Sequence, residues 1–212
     1  MKDFETYIFD LDGVIVDTAK YHFLSWKKIG NEFGFELTHE LNEQLKGVSR
    51  TDSLKKILNW AGVSVSAEKF EELATRKNAD YLLYVEKMEE NEVLPGVKSF
   101  IEKAKKENIK IALGSASKNA RLILEKIGLI SYFDAIIDGN DVSKAKPDPE
   151  VFILAAQKLG IPNENCVVFE DAEAGIQAAK SAGMKAIGIG SPDILKQADS
   201  VFSDFLQVNK YF

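Results

Sequence analysis

The 212-residue chain carries 27 Lys plus Arg against 33 Asp plus Glu, a formal charge of −6, with 45% hydrophobic and 28% charged residues. That is a globular rather than a disordered composition, and without a long basic block it argues against nucleic acid as a partner. No apolar run approaches the roughly eighteen residues of a membrane span, and the acidic N-terminus MKDFETYIFD has no signal-peptide core. A single cysteine, Cys166, excludes an internal disulfide. The expectation is a cytoplasmic protein with no membrane association.

TYIFDL predicts a short buried strand that ends at Asp10 and Asp12. From Ala19 to about Glu92 the texture changes: KYHFLSWKKIGNEFGF, TDSLKKILNWAG and AEKFEELATRKNADYLLYVEKMEEN carry apolar residues at three and four spacing, which predicts amphipathic helices. Pro95-Gly96 punctuates, a helix follows in LPGVKSFIEKAKKENIK, and strands then alternate with helices. IKIALGSAS, DAIIDG, CVVFED and KAIGIG read as strands, NARLILEKIGL, PDPEVFILAAQKLG and AEAGIQAAKSAG as helices, and DSVFSD as a last edge strand. This alternation predicts an α/β domain with a parallel sheet covered on both faces. The expected division is a core of residues 1–16 and 93–212 with a helical module, 17–92, inserted after the first strand.

Ligands of open α/β sheets bind outside the carboxyl ends of the strands. Asp10, Ser115 and the pair Glu170-Asp171 each follow a predicted strand, so they converge on one crevice, and the insertion leaves from the same edge as a lid. Two carboxylates as close as Asp10 and Asp12 repel each other unless a cation, a shared proton or a phosphorylated side chain makes the pair useful. Mg²⁺ takes oxygen ligands and keeps waters and phosphate oxygens. Asp10, the Asp12 backbone carbonyl and one of Glu170-Asp171 would supply the protein's share. Ser115 and Lys146 would present a hydroxyl and a point cation to phosphate oxygens. Asp10 then serves as nucleophile and Asp12 as general acid and base. Taken singly, each has a plainer explanation: Ser115 as a helix cap, Lys146 as a surface lysine, Glu170-Asp171 as acids at a helix start.

DLDGVIVDT, GSAS, KPDPEVF and FEDAEAG resemble, in order and spacing, the four motifs of the haloacid-dehalogenase superfamily. The resemblance implies a Rossmann-like three-layer core with a small helical cap. It also implies catalytic Asp10, Asp12, Ser115 and Lys146, and Mg²⁺ held through Asp10, Asp12, Glu170 and Asp171. In the cap, DTAKYHFLSWKKI, NEQLKGVSRTDSLKKIL and ATRKNADY are similar to the sugar-phosphate mutases of that superfamily, which interconvert β-D-glucose 1-phosphate and glucose 6-phosphate through a bisphosphate. This implies sugar phosphates as small-molecule partners and a monomer whose cap swings freely.

By the same likeness Arg50 grips the phosphate that is not reacting, with Lys46, Gly47, Val48, Ser49 and Ser53 around the sugar and its phosphate. Thr18 lies at the hinge, and His22 and Lys77 link cap closure to Asp12. Ala116, Ser117, Lys118 and Asn119 contact ligand at the core rim. From their neighbours alone, His22, Arg50 and Lys77 read as packed or surface residues, Trp26 and Trp60 as helical core, and His39 as surface. Gly114 stands where alanine is ordinary, which predicts looser packing beside the phosphate site. The isomer of Lys146-Pro147 is not set by sequence. A sugar-phosphate phosphatase is the alternative reading, because the core motifs serve both reactions; a binding protein without catalysis is a third.

Overall fold

A computed structural model of the chain describes residues 4–45 and 48–212. Six parallel strands form one sheet in the order β3-β2-β1-β4-β5-β6: β1 (Thr6–Phe9), β2 (Lys110–Gly114), β3 (Ala135–Ile137), β4 (Cys166–Glu170), β5 (Lys185–Ile189) and β6 (Ser200–Phe202). This is the doubly wound order, and its switch point falls between β1 and β4. The register pairs Phe9 with Phe169, so Asp10 and Glu170 leave neighbouring strands side by side.

Strand residues alternate between two apolar layers. Tyr7, Phe9, Ile111, Leu113, Val167 and Phe169 face one layer, under α5 (Val97–Lys106), α6 (Ala120–Lys126) and α9 (Phe205–Tyr211). Ile8, Ala112, Cys166 and Val168 face the other, under α7 (Glu150–Leu159) and α8 (Glu173–Ser181). The first layer is rich in aromatic rings: Phe9 stacks on Phe169 at 5.1 Å between centroids and on Phe205 at 5.8 Å. Full burial of such rings is worth about 1.5–3 kcal/mol each, so the strand that carries Asp10 is anchored immediately behind its functional end. The three-layer core follows.

Between β1 and α5 lie four helices, α1 (Ala19–Glu32), α2 (His39–Glu43), α3 (Arg50–Trp60) and α4 (Ala67–Val85), which form a cap. The cap has its own core of Trp26, Ile29, Leu37, Leu54, Ile57, Leu58 and Leu73. Ser49 and Ser66 cap α3 and α4 by accepting from the Asp52 and Lys69 backbone N–H groups. Two chain segments join cap to core, and they touch: Val16 and Val93 form an antiparallel bridge, and the Leu94 N–H donates to the Ile15 carbonyl at 2.8 Å.

Three details differ from the sequence reading. Helix α4 stops at Val85, because MEEN turns into a short 3-10 segment, Glu90–Glu92, that returns the chain to the core. Helices α2 and α9 are additional; both are short, with too few turns for a helical period to stand out. Gly114 does not loosen packing, because a β-carbon there would lie 2.7 Å from the Phe152 ring. The ring fills the space, so glycine admits close contact. Lys146-Pro147 is cis. Cys166 is buried, and burial pushes its thiol up to about 11, as fits a small core residue. Among the described residues no helix is long and apolar enough to cross a membrane.

Candidate active site

The strand ends deliver their polar side chains as the topology requires. Lys146 comes from the segment before α7 and is buried. Its Nζ donates to Asp10 Oδ1 at 2.5 Å and to Glu170 Oε1 at 2.6 Å, while 4.7 Å above the Phe152 ring. Burial pulls this ammonium down, but the charges of Asp10 and Glu170 outweigh it and hold it well above the ordinary lysine value. Glu170 is pushed up, first by burial and then by the Asp10 charge, against the pull of Lys146. Its other oxygen accepts from the Ala172 N–H at 2.8 Å. Buried Ser115 takes a turn role, its hydroxyl accepting from the Ser117 N–H at 3.1 Å. It does not cap α6, which is preceded by Asn119.

Asp12 sits above this group. The Thr18 hydroxyl donates to its carboxylate. Thr18 occupies the cap position of α1 yet makes no side-chain cap there; the Ala19 N–H goes to Asp17 Oδ1 at 3.2 Å instead. Burial, reinforced by the Asp10 charge, raises the Asp12 carboxyl to about 7 against the pull of Lys77 and Lys146.

Helices α1 and α4 bring two i, i+4 pairs together: His22 with Trp26, and Lys77 with Tyr81. Lys77 is 2% exposed, and its Nζ lies 2.8 Å from His22 Nδ1. It rests 4.6 Å from the Trp26 ring and 4.7 Å from the Tyr81 ring. Burial, then the Arg50 charge, lowers Lys77 to about 7, partly offset by Asp12. Burial and the same two cations keep His22 neutral. A neutral His22 ring can accept from the Lys77 ammonium at Nδ1 with its own proton on Nε2.

A cavity of about 450 Å³ lies between cap and core. Asp10, Asp12, Ser115, Ala116, Ser117, Lys118, Asn119, Lys146 and Asp171 line its core wall, and His22, Val48, Ser49, Arg50, Ser53 and Lys77 its cap wall. Arg50 opens α3 and is half-buried, its guanidinium lowered by burial. Every described candidate site residue thus borders the cavity, save Thr18 and Glu170, which contact Asp12 and Lys146. Lys46 and Gly47 lie outside the described residues.

Sequence reasoning missed Tyr81 and Asn78, and its reading of Trp26 as helical core holds but is incomplete. Trp26 belongs to the cap core and also lines the cavity. Asn78 and Tyr81 follow Lys77 at one and four residues, a spacing that flags them only once Lys77 is known to face inward. Asn140 and Asp141 are rim supports: Asn140 Nδ2 donates to the Lys118 carbonyl at 3.1 Å, and Asp141 pairs with Arg121 at 3.0 Å. His39 is exposed and stacks on Phe23 at 4.2 Å.

For a divalent cation, no three His, Cys, Asp or Glu side chains among the described residues form a metal group by themselves. Mg²⁺ does not need one, since it binds through one or two carboxylates and completes its shell with water and substrate oxygens. The donors present are hard oxygens, and buried Glu170 is raised by its surroundings, a strain that added positive charge relieves. Gly13 leaves room for the Asp171 carboxylate, which lies where a β-carbon would stand. These residues fit the ion.

A strand-end aspartate paired with a buried lysine, a second aspartate above it and a helical cap define a capped, aspartate-based phosphotransferase. The chain belongs to the haloacid dehalogenase-like hydrolase family, whose model matches residues 7–189. It is 46% identical to a β-phosphoglucomutase of Bacillus subtilis over 92% of this chain and 87% of that protein. A crystal structure of β-phosphoglucomutase from Clostridium difficile superposes with a TM-score of 0.94 and 39% identity, covering 98% of both chains. The chain is also 32% identical to a phosphorylated carbohydrates phosphatase of Thermotoga maritima, over 86% of this chain and 83% of that one.

Proposed function

We propose that this chain interconverts β-D-glucose 1-phosphate and glucose 6-phosphate through a phosphorylated Asp10 and β-glucose 1,6-bisphosphate. The observation that carries this reading is the two-walled cavity, with Asp10, Ser115 and Lys146 on the core wall and Arg50 on the cap wall. A hydrolase acting on one phosphate needs one cationic cradle. A bisphosphate that turns over between half-reactions needs a second, and a guanidinium fork grips phosphate in either orientation. The likeness to two β-phosphoglucomutases supports the reading.

Asp10, paired with Lys146, attacks phosphorus in line. Ser115 and Lys146 hold the equatorial oxygens. Asp12, poised near neutral pH, takes the proton of the accepting sugar hydroxyl and returns one to the leaving oxygen in the reverse sense. Thr18 fixes its carboxylate, and His22 with Lys77 ties cap position to it. Arg50, Ser49 and Ser53, with Lys46, Gly47 and Val48, hold the far end of the sugar phosphate; Ala116, Ser117, Lys118 and Asn119 hold the near rim. Asp10, the Asp12 carbonyl, Glu170 and Asp171 would hold Mg²⁺, which would supply neutralising charge at the transferring group. The cap, residues 17–92, turns on the Val16–Val93 bridge against the core of 1–16 and 93–212 and excludes water. The protein acts as a cytoplasmic monomer.

A sugar-phosphate phosphatase is the second reading, favoured by the likeness to the Thermotoga maritima phosphatase and by a core wall suited to either reaction. Purified protein is given Mg²⁺, β-glucose 1-phosphate and a trace of acetyl phosphate, and glucose 6-phosphate and free phosphate are followed in one tube. Rapid glucose 6-phosphate with little phosphate is the expected outcome. Stoichiometric phosphate and glucose would replace the mutase reading with the phosphatase.

A further inference from the structure

Asn78 lies on α4 in the cap, and its Oδ1 accepts from Nδ2 of Asn119 on the core rim at 2.9 Å. Both line the cavity. Asparagine before a helix ordinarily turns its side chain back to cap the helix. Asn119 stands in that position ahead of α6 and makes no such bond. Its amide reaches across to the other wall instead. The other side-chain ties described between cap and core, Thr18 with Asp12 and Glu90 with Lys98 at 3.3 Å, sit in or beside the two connecting segments. The Asn78–Asn119 bond is of a different kind, joining a cap helix to the rim that borders the reacting group.

Two neutral amides suit a contact that must open and close. A bond between them shifts an equilibrium by only about 2- to 10-fold, since water satisfies both partners when they separate. An ion pair at the same place would compete for the phosphate, and an apolar contact would leave the rim dry.

We propose that the Asn78–Asn119 bond is the latch that holds the cap on the core rim, and that its strength sets the share of phosphoryl groups lost to water. The inference rests on the aspartyl-phosphate reading. In the productive step a sugar oxygen attacks phosphorus, the bond from phosphorus to the Asp10 oxygen breaks, Asp10 leaves as carboxylate, and the hydroxyl proton passes to Asp12. In the leak a water oxygen takes the sugar's place, its proton passes to Asp12, and inorganic phosphate departs. Opening the latch admits the water.

The test compares the full-length protein with Asn78→Ala. Three quantities are read: the ratio of free phosphate to glucose 6-phosphate during turnover, the decay of enzyme phosphorylated with acetyl phosphate without sugar, and the radius of gyration from small-angle scattering. Asn78→Ala should raise the ratio and the decay rate by about 2- to 10-fold and enlarge the particle, with its thermal midpoint close to the wild type. A folded variant with unchanged decay and unchanged radius overturns the latch. Should the wild type release only phosphate, the mutase reading fails, while decay and radius still judge the latch by the same criteria. Asn78→Ser, too short to reach Asn119, replaces the alanine variant if that one does not fold.

Discussion

Thr18 turns its hydroxyl onto the Asp12 carboxylate instead of capping the helix it begins. A side-chain cap forgone is worth about 1 kcal/mol of helix stability, and what the fold gains is a fixed orientation for its proposed acid and base. Thr18→Val, which keeps the shape and loses the donor, should lower turnover by about 10- to 100-fold, less than the roughly 100- to 10,000-fold of general acid–base catalysis because Asp12 itself remains. Thr18→Ser should retain most of it. Steady-state kinetics on both variants check this; wild-type turnover in the valine variant removes Thr18 from the mechanism.

Asp12 should titrate near pH 7, not near its ordinary 3.8. Carboxyl carbon NMR on metal-free protein reads this directly. Asp10→Asn should lower the value, because the Asp10 charge raises it, and Lys77→Met should raise it. The folded carboxyl keeps its proton up to about 7, whereas the unfolded one loses it near 3.8. Its stabilising contribution is therefore complete below about 3.8 and is lost as the pH rises to about 7. Between pH 4 and 7 the wild type should lose stability relative to Asp12→Asn by an amount on the order of a few kcal/mol, measurable by urea unfolding.

Lys146 stands between two buried carboxylates. Lys146→Met leaves Asp10 and Glu170 facing each other without their shared cation. Breaking such a pair costs about 3–5 kcal/mol, and the variant should also fail to accept phosphate on Asp10. Adding Glu170→Gln to Lys146→Met should recover part of the stability and none of the phosphorylation. Denaturant midpoints and intact-protein mass after acetyl phosphate treatment separate the two effects.

Gly114→Ala restores the residue that is ordinary before SAS, and it should destabilise the protein. The added β-carbon meets the Phe152 ring at 2.7 Å, an overpacking that costs about 1–3 kcal/mol. Phe152→Leu in the same chain should relieve most of the clash, so the two changes together should be less damaging than their sum. Thermal unfolding of both single variants and the double variant tests the coupling.

Some of this was written locally. Apolar runs that stop at carboxylates, hydroxyls and a lysine exposed the strand ends, and in a parallel sheet strand ends share one edge. That is why Asp10, Ser115, Glu170 and Asp171 could be assigned to one crevice before any fold was seen. The change of period after Val16 announced the cap, since helices and strands bury their faces at different spacings.

What a residue does with its side chain was not legible where two local options compete. Thr18 and Asn119 both stand in cap positions, and sequence offers each the bond to its own helix; a partner more than a helical turn away along the chain decided otherwise. Lys77 and Trp26 looked like a surface lysine and a core ring, and only the packing of α1 on α4 made the ring the floor beneath the ammonium. Gly114 suggested slack, and the ring of Phe152, distant in the chain, removed it. Local pattern determines which element a residue belongs to, because period and turn chemistry act over a few residues. Burial, pairing and charge at the site depend on groups brought together from distant parts of the chain, and those only the tertiary structure decides.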